Sequence, residues 1–143
     1  MNLNGVWRLG ICTDEEYRKL KLEIKDLETL EKKGILVVNG TVPGNYELDL
    51  EKQHLIENPF FGENLLQERG RERNHLFYGK TFAFHAEDQK EYLLEFEGID
   101  TVAEIYLNGR LLAKADNMFL PQVFLISGNE SKKGTNEILV HIL

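Results

Sequence analysis

Residues 92–121, YLLEFEGIDTVAEIYLNGRLLAKADNMFLP, constrain the fold of this chain more than any other stretch. Tyr92, Leu94 and Phe96 alternate with Leu93, Glu95 and Glu97, the period of two that a half-buried strand needs. Gly98 breaks the run. Residues 101–107 read as a second strand, and Asn108-Gly109 joins it to Arg110, Leu111 and Leu112. An Asn-Gly pair between apolar runs favours a two-residue hairpin turn, because both positions tolerate positive φ. The pattern is an all-β signal and by itself names no chemistry.

The flanking segments carry the same signal. Residues 5–11, GVWRLGI, read as a first strand with Trp7 pointing inward, and residues 35–42 as another, ended by Pro43-Gly44. Residues 76–86 form a long strand in which Tyr78, Phe82 and Phe84 share one face; residues 123–126 and 137–143 add two more. About seven or eight short strands divided by turn signals predict a two-layer β-sandwich rather than a parallel sheet. The final run, ILVHIL, is a good strand that stops at the last residue, so the expectation is one domain over 1–143 whose natural boundary lies further on. That strand is expected to lack neighbours and to leave an open hydrogen-bonding edge, a route to homo-oligomers.

Two segments break the strand pattern. Thr13 and Glu16 have capping-box spacing, with Asp14 and Glu15 suited to the positive end of a helix dipole. Tyr17, Leu20, Ile24 and Leu27 follow at helical spacing, and Gly34 is a plausible stop. Leu20, Leu22 and Ile24 also alternate, which leaves a strand open for that portion; the expectation is a helical insertion near 13–33 lying across one face of the sheets. Residues 46–56 are mixed: Tyr46, Leu48 and Leu50 alternate, while Leu48, Leu55 and Ile56 suit a short helix.

A net charge of -7 argues against wholesale binding of nucleic acid or an anionic membrane, and Arg69, Arg71 and Arg73 are interleaved with Glu68 and Glu72. Cys12 is the single cysteine, so neither an internal disulfide nor a thiolate metal cage can form. Residues 1–10 lack the basic segment and apolar run of a secretory signal, and no stretch approaches the ~20 apolar residues of a membrane helix. A cytoplasmic location is the expectation. Asn39-Gly-Thr and Asn129-Glu-Ser match the glycosylation pattern and read as turn residues.

Chemistry-bearing motifs are sparse. No phosphate loop, closely spaced histidine pair or serine elbow is present, and His54, His75, His85 and His141 are scattered and read as structural or surface residues. No cofactor is implied. Acids are plentiful, but nothing selects a pair for glycoside chemistry. Phe60 and Phe61 in NPFFGEN either plug the end of the sandwich or stack on a sugar face. Asn117 in the 116–119 segment reads as closing a corner by bonding backbone groups.

The ordered set LNGVWRL, VPGNYELDLEKQHLIENPFFGEN, YGKTF, FEGIDTVAEIYLNGRLLAKADNMFLP and NEILVHI resembles the N-terminal sugar-binding domain of glycoside hydrolase family 2. β-Mannosidase-like members are nearest, with β-galactosidases and β-glucuronidases as wider relatives. The likeness runs through nearly the whole chain except the helical insertion. It implies a jelly-roll β-sandwich of the galactose-binding-domain kind. It also implies that catalysis sits on a (β/α)₈ barrel elsewhere in the parent, so this chain alone is expected to be inactive.

The resemblance further implies that the NPFFGEN loop faces that barrel, with Asn64 as a sugar contact beside Phe61 and Phe60. Relatives often have a tryptophan where Leu76 stands, and the tryptophan- and aspartate-bearing segment that follows the last matched strand is absent. Three functions compete: a non-catalytic domain shaping the rim of a glycosidase barrel, an autonomous carbohydrate-binding module, and a strand-edge interaction module.

Overall fold

The computed structural model describes residues 1–20, 24–128, 130–131 and 134–143. Its strands are β1 (Gly5–Thr13), β2 (Leu36–Val42), β3 (Asn74–Phe84), β4 (Glu91–Phe96), β5 (Ala103–Leu107), β6 (Arg110–Ala115), β7 (Gln122–Ser127) and β8 (Gly134–Ile142). Among the described residues four short helices accompany them: α1 (Asp14–Leu20), α2 (Leu27–Lys32), α3 (Tyr46–Lys52) and α4 (Asn64–Gln67), the last running into a 3-10 turn over Glu68–Arg71. The strands form a six-stranded sheet in the order β2-β1-β3-β8-β5-β6 and a two-stranded sheet, β4-β7. Every pairing is antiparallel. The β-sandwich expectation holds, with six strands in one layer and two in the other.

The central hairpin forms as its sequence dictates. Asn108 and Gly109 adopt φ of 52° and 80°, the two left-handed positions of the turn between β5 and β6. The Asn108 side chain then ties the turn to β8: its Oδ1 accepts the Glu137 N–H at 3.0 Å, and its Nδ2 donates to Asn136 Oδ1 at 2.9 Å.

The expectation for the last strand is corrected. β8 is interior, paired along its length with β3 on one side and, from Ile138 to Ile142, with β5 on the other. Its central run, Ile138 to His141, is buried because both edges and both faces are covered. The sheet edges are β2 and β6. On β2 the edge is largely closed by α3: the Asp49 carboxylate accepts the Thr41 N–H at 2.8 Å, and the Gln53 amide both accepts from Asn39 N–H and donates to its carbonyl.

The six-stranded sheet divides the apolar side chains between its two faces. Trp7, Ala103, Ile105, Ala115, Ile138 and Val140 point to the face covered by β4 and β7, where Leu94, Phe96 and Phe124 meet them. Further along that face Leu9 and Ile11 pack on Leu50 of α3. The opposite face presents Cys12, Phe77 and Leu139, covered by Ile24, Leu30 and Ile35 with Tyr17, Leu20 and Leu27 beside them.

The helical cover differs from one continuous helix. Thr13 does close its capping box: its hydroxyl accepts the Glu16 N–H, and Glu16 accepts the Thr13 N–H at 2.8 Å. α1 ends at Leu20, residues 21–23 lie outside the described part, and a new helix starts after Asp26, whose carboxylate accepts the Thr29 N–H. A second N-cap inside the apolar repeat is the physical reason for two helices rather than one. Gly34, at φ 74°, ends α2 as expected. Of residues 46–56, left open by pattern, Tyr46–Lys52 is helix because Asn45 caps it, accepting from the Glu47 and Leu48 N–H groups, and the chain leaves the helix through His54 at φ 57°, so Leu55 and Ile56 lie beyond it.

Candidate functional site

Register gathers several strand ends at one pole of the molecule. Ile142 faces both Leu76 and Ala103, Ala103 faces Ala115, and Thr13 faces Asn74. Residues 97–102 and 116–121 connect strands at this pole, and residues 53–73 deliver the chain to β3 there. These connections carry Phe60, Phe61 and Phe119, which are 78%, 77% and 84% exposed, together with exposed Leu65, Leu66, Val102, Met118 and Leu120. Scattered exposed leucines are ordinary; three phenylalanines and five aliphatic or thioether side chains concentrated on the connections that reach this pole mark a surface made to be covered.

The loops that present them are locked by local hydrogen bonds. Asn58 Oδ1 accepts the Phe60 N–H at 2.9 Å, and the Asn58 carbonyl accepts both the Phe61 N–H and the Asn64 side-chain amide. Pro59 is the buried member of this loop, so the plug role expected of Phe60 and Phe61 does not hold: a turn this tight turns Pro59 in and both rings out. Asn64, singled out as a sugar contact, spends its amide N–H on Asn58 O and so braces the loop. Beside the loop lies an open concavity of about 500 Å³ lined by Glu51, His54, Leu55, Ile56, Glu57 and Asn58. In the 116–121 connection, Asn117 Oδ1 accepts the Phe119 N–H, and the Gln122 amide donates to the Asn117 and Leu120 carbonyls.

One cluster was invisible in the chain order. His75 on β3 and His141 on β8 meet beneath α1, with His75 Nδ1 and His141 Nε2 2.8 Å apart. His75 Nε2 lies 3.5 Å from Asp14 Oδ1 of α1. Tyr17 of α1 stacks on His75 with ring centroids 4.0 Å apart, and Phe77 stacks on His141 at 4.2 Å. His141 is buried, and burial together with the neighbouring His75 brings its pKa down to about 4. The two residues are 66 positions apart, and strand parity was the only signal: His75, Phe77 and His141 all stand on the face the helices cover. Among the described residues no group of three or more His, Cys, Asp or Glu side chains is placed to hold a metal ion.

A family model described as glycosyl hydrolase 2 galactose-binding domain-like matches residues 15–143. The chain belongs to that family. Within it, this glycosyl hydrolase 2 domain is 37% identical over 83 residues to a probable β-mannosidase of Caenorhabditis elegans, a match covering 57% of this chain and 9% of that protein. The crystal structure of β-D-mannosidase from Dictyoglomus thermophilum matches with a TM-score of 0.77 and 32% identity, over 100% of this chain and 15% of that one. A β-glucuronidase from an uncultured Clostridium sp. matches with a TM-score of 0.64 at 24% identity, over 99% of this chain and 21% of that one, which speaks to the fold alone. The chain spans 9% to 12% of the curated relatives it matches. In those relatives the domain is a small part of a much larger glycosidase.

Proposed function

We propose that this domain is a non-catalytic N-terminal part of a β-mannosidase-like family 2 glycosidase, packing on its catalytic body and shaping the rim of the cleft. The observation that carries this is the apolar pole: Phe60, Phe61 and Phe119 project from loops braced by Asn58 and Asn117, a preorganised surface for protein contact. The similarity to β-mannosidases supports the choice of parent, and hydrolysis of β-mannosides belongs to the parent's barrel.

The test compares this chain with the product of any longer reading frame that contains it. Pure chain incubated with an aryl β-mannoside should release no phenol, while the longer product should. The paired change Phe60→Ser with Phe61→Ser should lower the melting temperature of the longer product and leave that of the isolated chain unchanged. Turnover by the chain alone, or equal effects on both proteins, would sink the proposal.

A second reading, an autonomous carbohydrate-binding module, draws on the same outward rings with Asn64 behind them and the adjoining concavity. Titration with mannose, mannobiose, galactose and glucuronic acid at millimolar levels separates the two, and flat heats leave only the first.

A further inference from the structure

The outer face of the small sheet departs from the pattern of a face made for water. Inward residues Leu94, Phe96 and Phe124 of β4 and β7 meet the large sheet, as the alternation requires. The outward positions are Glu91, Leu93 and Glu95 on β4 and Val123 and Leu125 on β7, with Leu93 opposite Leu125 and Glu95 opposite Val123. Leu93, Val123 and Leu125 are 72%, 51% and 54% exposed. An antiparallel strand with one wet face alternates apolar with polar side chains. Val123 to Ile126 is instead an unbroken apolar run, the pattern of a strand covered on both faces.

We infer that this face is a second docking surface, occupied by an apolar surface fringed with lysine or arginine from the remainder of the same glycosidase chain. The inference rests on the reading of the domain as part of a larger family 2 glycosidase and adds a contact to it. The face lies beside the apolar pole, not on it, because side chains stand perpendicular to a sheet and the pole lies at its strand ends.

Charge names the chemistry of the occupant. Glu91 and Glu95 flank Leu93 on its own strand, and Glu97 continues the row. Among the described residues none of these three carboxylates has an ion-pair partner, and Lys90, next to Glu91 in sequence, is held by Glu87 at 2.7 Å. A partner that buries Leu93 also takes water from Glu91 and Glu95, and a buried carboxylate without a counter-charge is costly. The surface that fits therefore sets Lys or Arg over β4 and apolar side chains over Val123 and Leu125. A second copy does not fit face to face: each acidic row would meet the other, or the aliphatic side chains of β7, and neither supplies a cation. Size names the source. Three aliphatic side chains edged with charge are too small a core for a stable interface between separate molecules, which buries about 1,200–2,000 Å². Within one chain the same contact closes at the effective concentration set by the linker, and interfaces between domains of a chain are smaller and more polar. In the relatives matched by this domain, most of the chain lies outside it.

Hydroxyl-radical footprinting tests this on unaltered protein, comparing the isolated chain with the longer product that contains it. Oxidation of Leu93 and Leu125 should be about tenfold slower in the longer product, the protection of a contact that is closed most of the time. That protection should be independent of protein concentration and should weaken with added salt. Glu91→Lys with Glu95→Lys should return Leu93 and Leu125 to the isolated-chain rate, while Phe60 and Phe61 at the pole stay protected. Should that variant not fold, the salt dependence of the wild-type decides the charge. Equal oxidation of Leu93 and Leu125 in the two proteins, with Phe60 and Phe61 protected, would overturn the second surface and leave the proposed function standing. The reverse result would keep the sheet surface and overturn the role given to the pole. If none of the four side chains is protected, or the coding DNA closes after Leu143, the reading and the inference fall together. Protection that persists in the charge-reversed variant overturns the basic occupant, and protection that grows with protein concentration overturns a source within the same chain.

Discussion

At the scale of single residues, two glycines set how closely the helical layer can approach the sheet. A Cβ on Gly79 would sit 2.5 Å from Leu27 Cγ with both Leu27 methyls at 2.6 Å, whereas one on Gly10 would meet a single Leu30 methyl at 2.8 Å. Gly79→Ala is therefore expected to destabilise the domain by about 1–3 kcal/mol and Gly10→Ala by less, because the end of Leu30 can give way. Urea titration checks both, and equal losses would contradict the packing account. His141 adds a pH term whose sign is fixed. Its pKa in the folded domain, about 4, lies below the unfolded value of 6.5, so its contribution is complete above 6.5 and is lost as pH falls towards about 4. The expected loss is of order 3 kcal/mol, measurable as the wild-type difference in unfolding free energy between those limits that is missing in His141→Phe.

Elements are held by a few polar contacts that the apolar pattern does not contain. α3 exists where Asn45 caps it, and it covers the β2 edge through Asp49 and Gln53. Asp49 is 2% exposed, and its carboxylate is the partner of the Thr41 N–H. Asp49→Ala is expected to cost about 1–3 kcal/mol by leaving that donor unsatisfied, and to raise hydrogen exchange at Thr41 selectively. α1 depends on Thr13 in the same way: Thr13→Ala should weaken its first turn by about 0.5–2 kcal/mol. The change should also raise labelling of the buried Cys12 thiol at neutral pH, since it loosens the helical cover. Neutral-pH labelling that stays at the wild-type level would separate the cap from the cover.

For the whole molecule, the division of surfaces matters most. One face of the large sheet is sealed by helices, the other by β4, β7 and α3, and the pole with Phe60, Phe61 and Phe119 is left apolar. In isolation that pole should drive weak self-association at high concentration, with the net charge of -7 opposing it. Phe60→Ser with Phe119→Ser is expected to abolish concentration-dependent sedimentation without moving the melting temperature. Association surviving that change would move attention to the β6 edge, because β8 is interior and offers none.

The sequence by itself determined the strands, the Asn108-Gly109 turn, the Thr13 cap and the family. Each of these is written in short-range terms: a period of two, a positive φ, a side chain reaching three residues along, or an ordered set of motifs. Tertiary structure alone decided that β8 is flanked on both sides, because strand order depends on pairing between segments as distant as Leu76 and Ile142. It alone placed Phe60 and Phe61 outside, since Pro59 and the Asn58 bonds compete for the inward position only once the loop is closed. And it alone brought His75 to His141. A chain pattern records which face a residue stands on, but not which strand lies beside it, and a hydrogen bond of 2.8 Å exists only after the sheet has put those strands together.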